Sequence, residues 1–111
     1  MIHAGHEHDW ITNRLAVGSA VVTHDDLVRL PFEGITHVLD LRSTREGEAL
    51  YRSVPIITYL CLPSADDGTP RTLEWVRDGV QFASEALRKR GKVLVHCTAG
   101  VNRSPSMAYA I

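Results

Sequence analysis

Residues 95–111 read VHCTAGVNRSPSMAYAI, and this stretch decides the expected fold. The apolar run at 92–95 (KVLV) leads into it and is too short for a helix, so it is predicted to be a buried strand. After a loop of small residues, Ser104 and Pro105 make a good N-cap and first-turn pair for a helix over 104–111. The stretch is therefore predicted to fold as strand, loop and helix.

Upstream of this stretch the sequence alternates between strand and helix patterns. The predicted strands are a pair within 10–17 that turns at Thr12 and Asn13, and two buried strands at 35–41 and 56–62. The predicted helices are a short one that Thr23 caps and that ends near Leu30, a weak one over 44–52, and a long amphipathic one over 70–90 with Thr69 at its cap and Pro70 at its first position. This order predicts an α/β layer architecture with a largely parallel sheet.

Length and composition indicate one small domain. The chain has 111 residues with 12 basic and 13 acidic side chains, and its Lys and Arg form no stripe, so nucleic acid is not favoured as a partner. Its apolar runs are too short to span a bilayer and its first residues lack the features of a signal peptide, so a cytoplasmic protein is expected. Residues 1–9 are predicted to be a flexible N-terminus, in which His3, His6 and His8 favour a frayed end over a metal site.

The loop CTAGVNR at 97–103 has the composition of an anion site. Ligands of open α/β sheets bind beyond the carboxyl ends of the strands, where small residues and a helix N-terminus direct backbone N–H groups and a positive dipole at one point. A cysteine alone in this position is usually a small core residue. Together with Gly100 and Arg103, however, Cys97 is expected to be a thiolate nucleophile, and Arg103 to hold two phosphate oxygens.

The segment HCTAGVNRS matches the H-C-x-x-G-x-x-R-[ST] signature of the cysteine-dependent protein tyrosine phosphatase superfamily. The chain most resembles the small dual-specificity phosphatases, because ITNRLAVGSA, GITHVLDL and MAYAI are similar to segments of that family. The resemblance implies a three-layer domain over 10–111 with its phosphate loop between the last strand and the following helix. Family domains continue for several helices beyond MAYAI, so the domain is expected to be truncated at its C-terminus.

The resemblance also implies a role for each residue of the signature. Cys97 corresponds to the nucleophile that forms a phosphocysteine, Arg103 to the phosphate clamp, Ser104 to the hydroxyl that helps the thiolate to leave, and His96 to the residue that orients the loop. The backbone that cradles the phosphate would be that of Thr98, Ala99, Gly100, Val101, Asn102 and Arg103. No metal or cofactor is implied.

The general acid is expected on the polar loop that precedes the long helix. Asp66 occupies the position where the family places this acid, and Asp67 is the alternative. A carboxyl group is needed there to protonate the leaving alkoxide or phenolate and then to activate water. Cys61 is expected to be a packing residue, with protection of the catalytic cysteine as the less favoured role.

The resemblance also implies a class of substrate. No segment is long enough to deepen the cleft, so phosphotyrosine and phosphoserine or phosphothreonine of phosphoproteins are the expected substrates. Phosphoinositides are disfavoured because the loop contains no lysine. The pair Asn102 and Arg103 is similar to that of RNA 5′-triphosphatases, and the TAG of the loop is similar to that of glucan phosphatases. Both classes therefore remain alternatives. A phosphate-binding module without turnover is the alternative that is not an enzyme.

Overall fold

The computed structural model describes residues 8–19, 21, 23–41, 47–63, 72–96, 107 and 111. Within these residues, five strands form one sheet in the order β1-β2-β5-β3-β4. The strands are β1 (His8–Trp10), β2 (Leu15–Gly18), β3 (His37–Asp40), β4 (Thr58–Cys61) and β5 (Val93–His96). The helices are α1 (His24–Arg29), α2 (Gly47–Arg52) and α3 (Leu73–Arg88), and a 3-10 turn covers Pro31–Glu33. β1 is antiparallel to β2, and all other pairings are parallel.

The sheet separates two apolar cores, one on each face. Leu94 of β5 lies between Ala16 of β2 and Val38 of β3, and this face packs against residues of α1 and α2. The opposite face, which includes Val95 and Leu39, packs against α3 and Met107. Every residue of β5 is buried. These contacts confirm the prediction of an α/β domain with a mostly parallel sheet between helices.

The N-terminus of α3 differs from the prediction. The hydroxyl of Thr72 accepts a hydrogen bond from the backbone N–H of Trp75 at 3.1 Å, so Thr72 is the N-cap and the helix begins at Leu73. Thr69 and Pro70, which were predicted to start the helix, lie outside the described residues. The prediction was wrong because a second threonine with an extended backbone offers the same cap one turn later. Thr23 caps α1 as predicted, with a bond of 3.1 Å from Asp26 N–H.

β4 is an edge strand and is only partly buried. The sequence predicted a buried strand over 56–62, yet Ile56 is 75% exposed and Thr58 is exposed. Cys61 at the end of the strand is buried, as expected for a packing residue. An apolar run does not distinguish an edge from a central strand, because position in the sheet depends on which strands pair.

β1 begins inside the segment that was predicted to be flexible. His8 and Asp9 belong to this strand and pair with Gly18 and Val17. The His8 ring Nε2 lies 3.1 Å from Glu33 Oε1, which joins the strand to the 3-10 turn. The predicted boundary at residue 9 is therefore two residues too late, because the pairing with β2 orders these residues. Residues 1–7 lie outside the described part of the chain.

The structure describes two residues of the predicted C-terminal helix, Met107 and Ile111. Met107 is helical and fully buried, and the Ile111 N–H donates to the Met107 carbonyl oxygen at 3.1 Å. A hydrogen bond over four residues is the repeat of an α-helix. Both side chains pack against the core beneath α3, which agrees with the helix predicted over 104–111.

Candidate active site

The candidate site lies where β3, β4 and β5 end. Asp40 pairs with both Cys61 and His96, so the last residues of these parallel strands are aligned at the carboxyl edge of the sheet. Cys97 directly follows His96, the last residue of the central strand β5, in the sequence. This is the edge at which α/β sheets bind ligands.

Most of the predicted site residues lie in segments outside the described structure. Segment 97–106 contains Cys97, the phosphate cradle, Arg103 and Ser104, and segment 64–71 contains Asp66 and the alternative acid Asp67. Their roles remain predictions. His96 is the predicted site residue that the structure describes.

His96 is completely buried at the end of β5. Its ring Nε2 lies 3.0 Å from the hydroxyl oxygen of Tyr51 in α2, and the two rings are nearly parallel with centroids 6.2 Å apart. Its Nδ1 lies 3.7 Å from Oδ1 of Asp40, which is within the distance of an ion pair. Tyr51 thus contacts the ring of His96 on one side, and the Asp40 carboxylate faces it on the other.

Asp40 is a completely buried carboxylate that the sequence analysis did not identify. The Tyr59 hydroxyl donates to its Oδ2 at 2.5 Å, and the Tyr59 ring stacks on that of Tyr51 with centroids 4.2 Å apart. Asp40, His96 and the two tyrosines therefore form one buried cluster, which we call the Asp40 cluster. The available signal was an acidic residue inside the apolar strand GITHVLDL, since unpaired carboxylates are rarely buried.

The pKa of Tyr59 is raised above its usual value of 10.0, first by burial, then by the hydrogen bond to Asp40 and its charge, and then by Cys61. A tyrosine that stays protonated when folded but ionises when unfolded contributes stability below pH 10, which is lost as the pH rises above that value. Chemical denaturation at pH 8 and pH 10.5 measures the free energy of unfolding at both pH values. We expect this free energy to fall less between pH 8 and pH 10.5 in Tyr59→Phe than in the wild type. An equal loss in the two chains would contradict this assignment.

Residues on either side of the segment that contains Asp66 are hydrogen-bonded to each other. On its N-terminal side, Leu62 N–H donates to the Asp40 carbonyl oxygen at 2.8 Å, which extends the pairing of β4 with β3. The indole Nε1 of Trp75, in the first turn of α3, donates to the Leu62 carbonyl oxygen at 3.0 Å. The end of β4 and the start of α3 are therefore tied together, and segment 64–71 connects them.

The described residues contain neither a metal-binding cluster nor a membrane-spanning helix. They contain no group of three or more His, Cys, Asp or Glu side chains arranged to hold a metal ion. None of the helices in this part of the chain is both long enough and apolar enough to cross a bilayer.

Solved structures with the same arrangement define the class of fold. The crystal structure of the PTP-2 phosphatase of Cydia pomonella matches with a TM-score of 0.80 and 20% identity, over 92% of this chain and 66% of that one. The active form of Tk-PTP matches with a TM-score of 0.76 and 20% identity, over 90% of this chain and 67% of that one. The fold is thus that of the protein tyrosine phosphatases.

Sequence comparison then gives the family. The profile described as dual specificity phosphatase, catalytic domain, matches residues 21–111, and the chain belongs to this family. The dual specificity protein phosphatase 22-B of Danio rerio is 33% identical over 88 residues, which cover 77% of this chain and 44% of that protein. The tyrosine-protein phosphatase yvh1 of Schizosaccharomyces pombe is also 33% identical over 88 residues, or 79% of this chain and 26% of that protein. The chain therefore spans less than half the length of these two relatives.

Proposed function

We propose that this chain hydrolyses phosphate monoesters of phosphoproteins through a phosphocysteine intermediate at Cys97. The observation that carries the proposal is the position of His96 at the end of the central strand, in a chain that belongs to the dual specificity phosphatase family. Segment 97–103, which directly follows His96 in the sequence, carries the Cys-x5-Arg pattern. A cytoplasmic location accompanies the proposal, because a thiolate nucleophile needs a reducing compartment.

In the first step the Cys97 thiolate attacks phosphorus, and the bond from phosphorus to the ester oxygen breaks. Asp66 gives its proton to the departing oxygen. The guanidinium of Arg103 and the N–H groups of residues 98–103 hold the other three phosphate oxygens, whose charge they stabilise during the attack. The products of this step are the dephosphorylated side chain and phosphocysteine.

In the second step water attacks the phosphocysteine, and the Asp66 carboxylate takes up a proton from this water. The bond between sulfur and phosphorus breaks, inorganic phosphate forms, and Cys97 leaves as a thiolate while the Ser104 hydroxyl donates a hydrogen bond to it. Asp66 is again protonated and Cys97 again ionised. No redox change takes place in either step.

The proposed substrates are phosphotyrosine and phosphoserine or phosphothreonine side chains in proteins. Hydrolysis of an aryl phosphate in the presence of a metal chelator tests the reaction class. Phosphopeptides, RNA 5′-triphosphate, phosphoglucan and phosphoinositide, assayed side by side, test the substrate class. A requirement for added divalent metal would contradict the mechanism, and binding of phosphopeptides without release of phosphate would indicate a binding module.

Asp66→Ala is expected to lower kcat about a hundredfold and to leave KM nearly unchanged, because general acid catalysis contributes on the order of 10²–10⁴ in rate. Asp67→Ala is the matched control, since it removes the neighbouring carboxylate of the same loop. Steady-state hydrolysis of an aryl phosphate with a poor leaving group makes the measurement most sensitive. If Asp67→Ala has the larger effect, Asp67 is the acid and the assignment of Asp66 is wrong.

The pH profile of kcat/KM is expected to be bell-shaped. As the pH falls, activity is lost because Cys97 or the substrate becomes protonated, and as the pH rises, activity is lost because Asp66 gives up the proton it must donate. Rates measured over pH 4–9 at constant ionic strength test this. Asp66→Ala should remove the basic limb and retain the acidic one, whereas a basic limb that persists in that variant would assign the second ionisation to another group.

A further inference from the structure

The Asp40 cluster joins two elements to the residue that precedes Cys97. Its members are Tyr59 of β4, Asp40 of β3, His96 of β5 and Tyr51 of α2, linked through contacts of 2.5, 3.7 and 3.0 Å. Asp40 and His96 have no solvent exposure, and Tyr51 is 2% exposed. Asp40 and the two tyrosines take no part in the two proposed chemical steps.

Burial of these groups determines which charge states are favourable. Removal of an imidazole from water favours its neutral form, whereas an opposite charge at about 4–6 Å or closer favours the protonated form. The only carboxylate found beside His96 among the described residues is Asp40, at 3.7 Å from Nδ1. The Tyr59 hydroxyl in turn stabilises the ionised carboxylate, because its hydrogen bond to Oδ2 is short and charge-assisted.

We propose that Asp40 is a positioning residue that keeps the His96 imidazole protonated and fixed, and thereby favours the thiolate form of Cys97. This inference rests on the proposed function of Cys97. A protonated His96 places a cation on the residue next to Cys97 in the sequence, and a neighbouring cation lowers the pKa of a thiol. Asp40 acts through His96 and is not itself in the proposed path of proton transfer.

The groups that face Asp40 determine whether removal of its charge raises or lowers the pKa of Cys97. Tyr59 and Cys61 face it from β4 and His96 faces it from β5, while Tyr51 lies behind His96. The negative charge of Asp40 by itself would oppose ionisation of Cys97. We expect the cation to have the larger effect, because His96 is the neighbour of Cys97 in the sequence whereas Asp40 belongs to the adjacent strand β3. Removal of the carboxylate charge should therefore make Cys97 harder to ionise.

The test compares Asp40→Asn with Asp40→Ala. Asparagine keeps the shape of aspartate but removes its charge, whereas alanine removes both. The rate of Cys97 alkylation by iodoacetamide is measured against pH, and mass spectrometry of the Cys97 and Cys61 peptides separates the two thiols. We expect both variants to raise the pH midpoint of Cys97 alkylation by about one unit. Cys61 should stay unlabelled in all chains, because it is buried.

A role in packing alone predicts a different pattern, in which Asp40→Asn has the wild-type midpoint and only Asp40→Ala differs. That pattern, or a midpoint that falls in Asp40→Asn, would overturn the proposal. Asp25→Asn is the matched control because it removes an exposed carboxylate from the first turn of α1, and its midpoint should equal that of the wild type.

Activity measurements separate this proposal from the proposed function. In Asp40→Asn we expect kcat/KM to fall about tenfold at pH values below the wild-type alkylation midpoint, and the acidic limb of its pH profile to move upward by the same unit as that midpoint. Alkylation reports on Cys97 even in a chain without turnover. A shifted midpoint without hydrolysis in the wild type would contradict the proposed function alone, and an unchanged midpoint with normal hydrolysis would contradict the role of Asp40 alone.

Discussion

Replacement of Cys97 by serine is expected to lower kcat for an aryl phosphate by about four orders of magnitude or more, the scale on which loss of a covalent nucleophile acts. The serine hydroxyl is not ionised near neutral pH and has no nearby base assigned to activate it, whereas a cysteine at a helix N-terminus is largely thiolate. Binding should survive, because the N–H groups of residues 98–103 and Arg103 remain. Phosphate release in steady state, together with calorimetric titration with tungstate, measures both quantities.

Cys61→Ser is the matched control for the nucleophile. It makes the same change of sulfur to oxygen at the other cysteine of the chain, which lies buried at the end of β4. We expect its kcat to stay within a few-fold of the wild type, and its stability to fall by about 1 kcal/mol because a hydroxyl replaces a packed thiol. If Cys97→Ser kept wild-type hydrolysis, or if Cys61→Ser abolished it, Cys97 would not be the nucleophile.

The largest effect on stability is expected for Leu94→Ala. Leu94 has no solvent exposure and lies in the central strand, beside Ala16 and Val38 and above the residues of α1 and α2. Removal of a fully buried leucine side chain leaves a cavity between rigid strands, and such changes cost about 2–5 kcal/mol. We expect the free energy of unfolding to fall by about 3 kcal/mol. Urea denaturation followed by circular dichroism measures this change.

Leu73→Ala is the control for that substitution. The same atoms are removed at the start of α3, where the leucine is 72% exposed, so the free energy of unfolding should change by less than about 0.5 kcal/mol. Equal losses in the two variants would show that the destabilisation does not arise from burial in the core between β5 and α2.

Sequence patterns with local causes predicted much of the fold. Thr23 caps α1 through a contact over three residues, which depends on the local sequence alone. The strand β5 was predicted because a short apolar run with clear boundaries is typical of a buried strand. Local signals did not identify the correct N-cap of α3, because two candidate residues lie close together in the sequence. Thr69 and Thr72 can each cap α3, and the choice of Thr72 is accompanied by the bond from Trp75 to the end of β4.

The sequence by itself determined the chemistry expected of this protein, because Cys97, Arg103 and the small residues between them form one contiguous segment of seven residues. The tertiary structure alone decided what supports that loop. Asp40, Tyr51, Tyr59 and His96 are spread over 57 positions in the chain. They meet because parallel pairing places β3 between β4 and β5 in one register. A buried carboxylate needs partners that its own strand cannot offer, and the neighbouring strands β4 and β5 provide Tyr59 and His96.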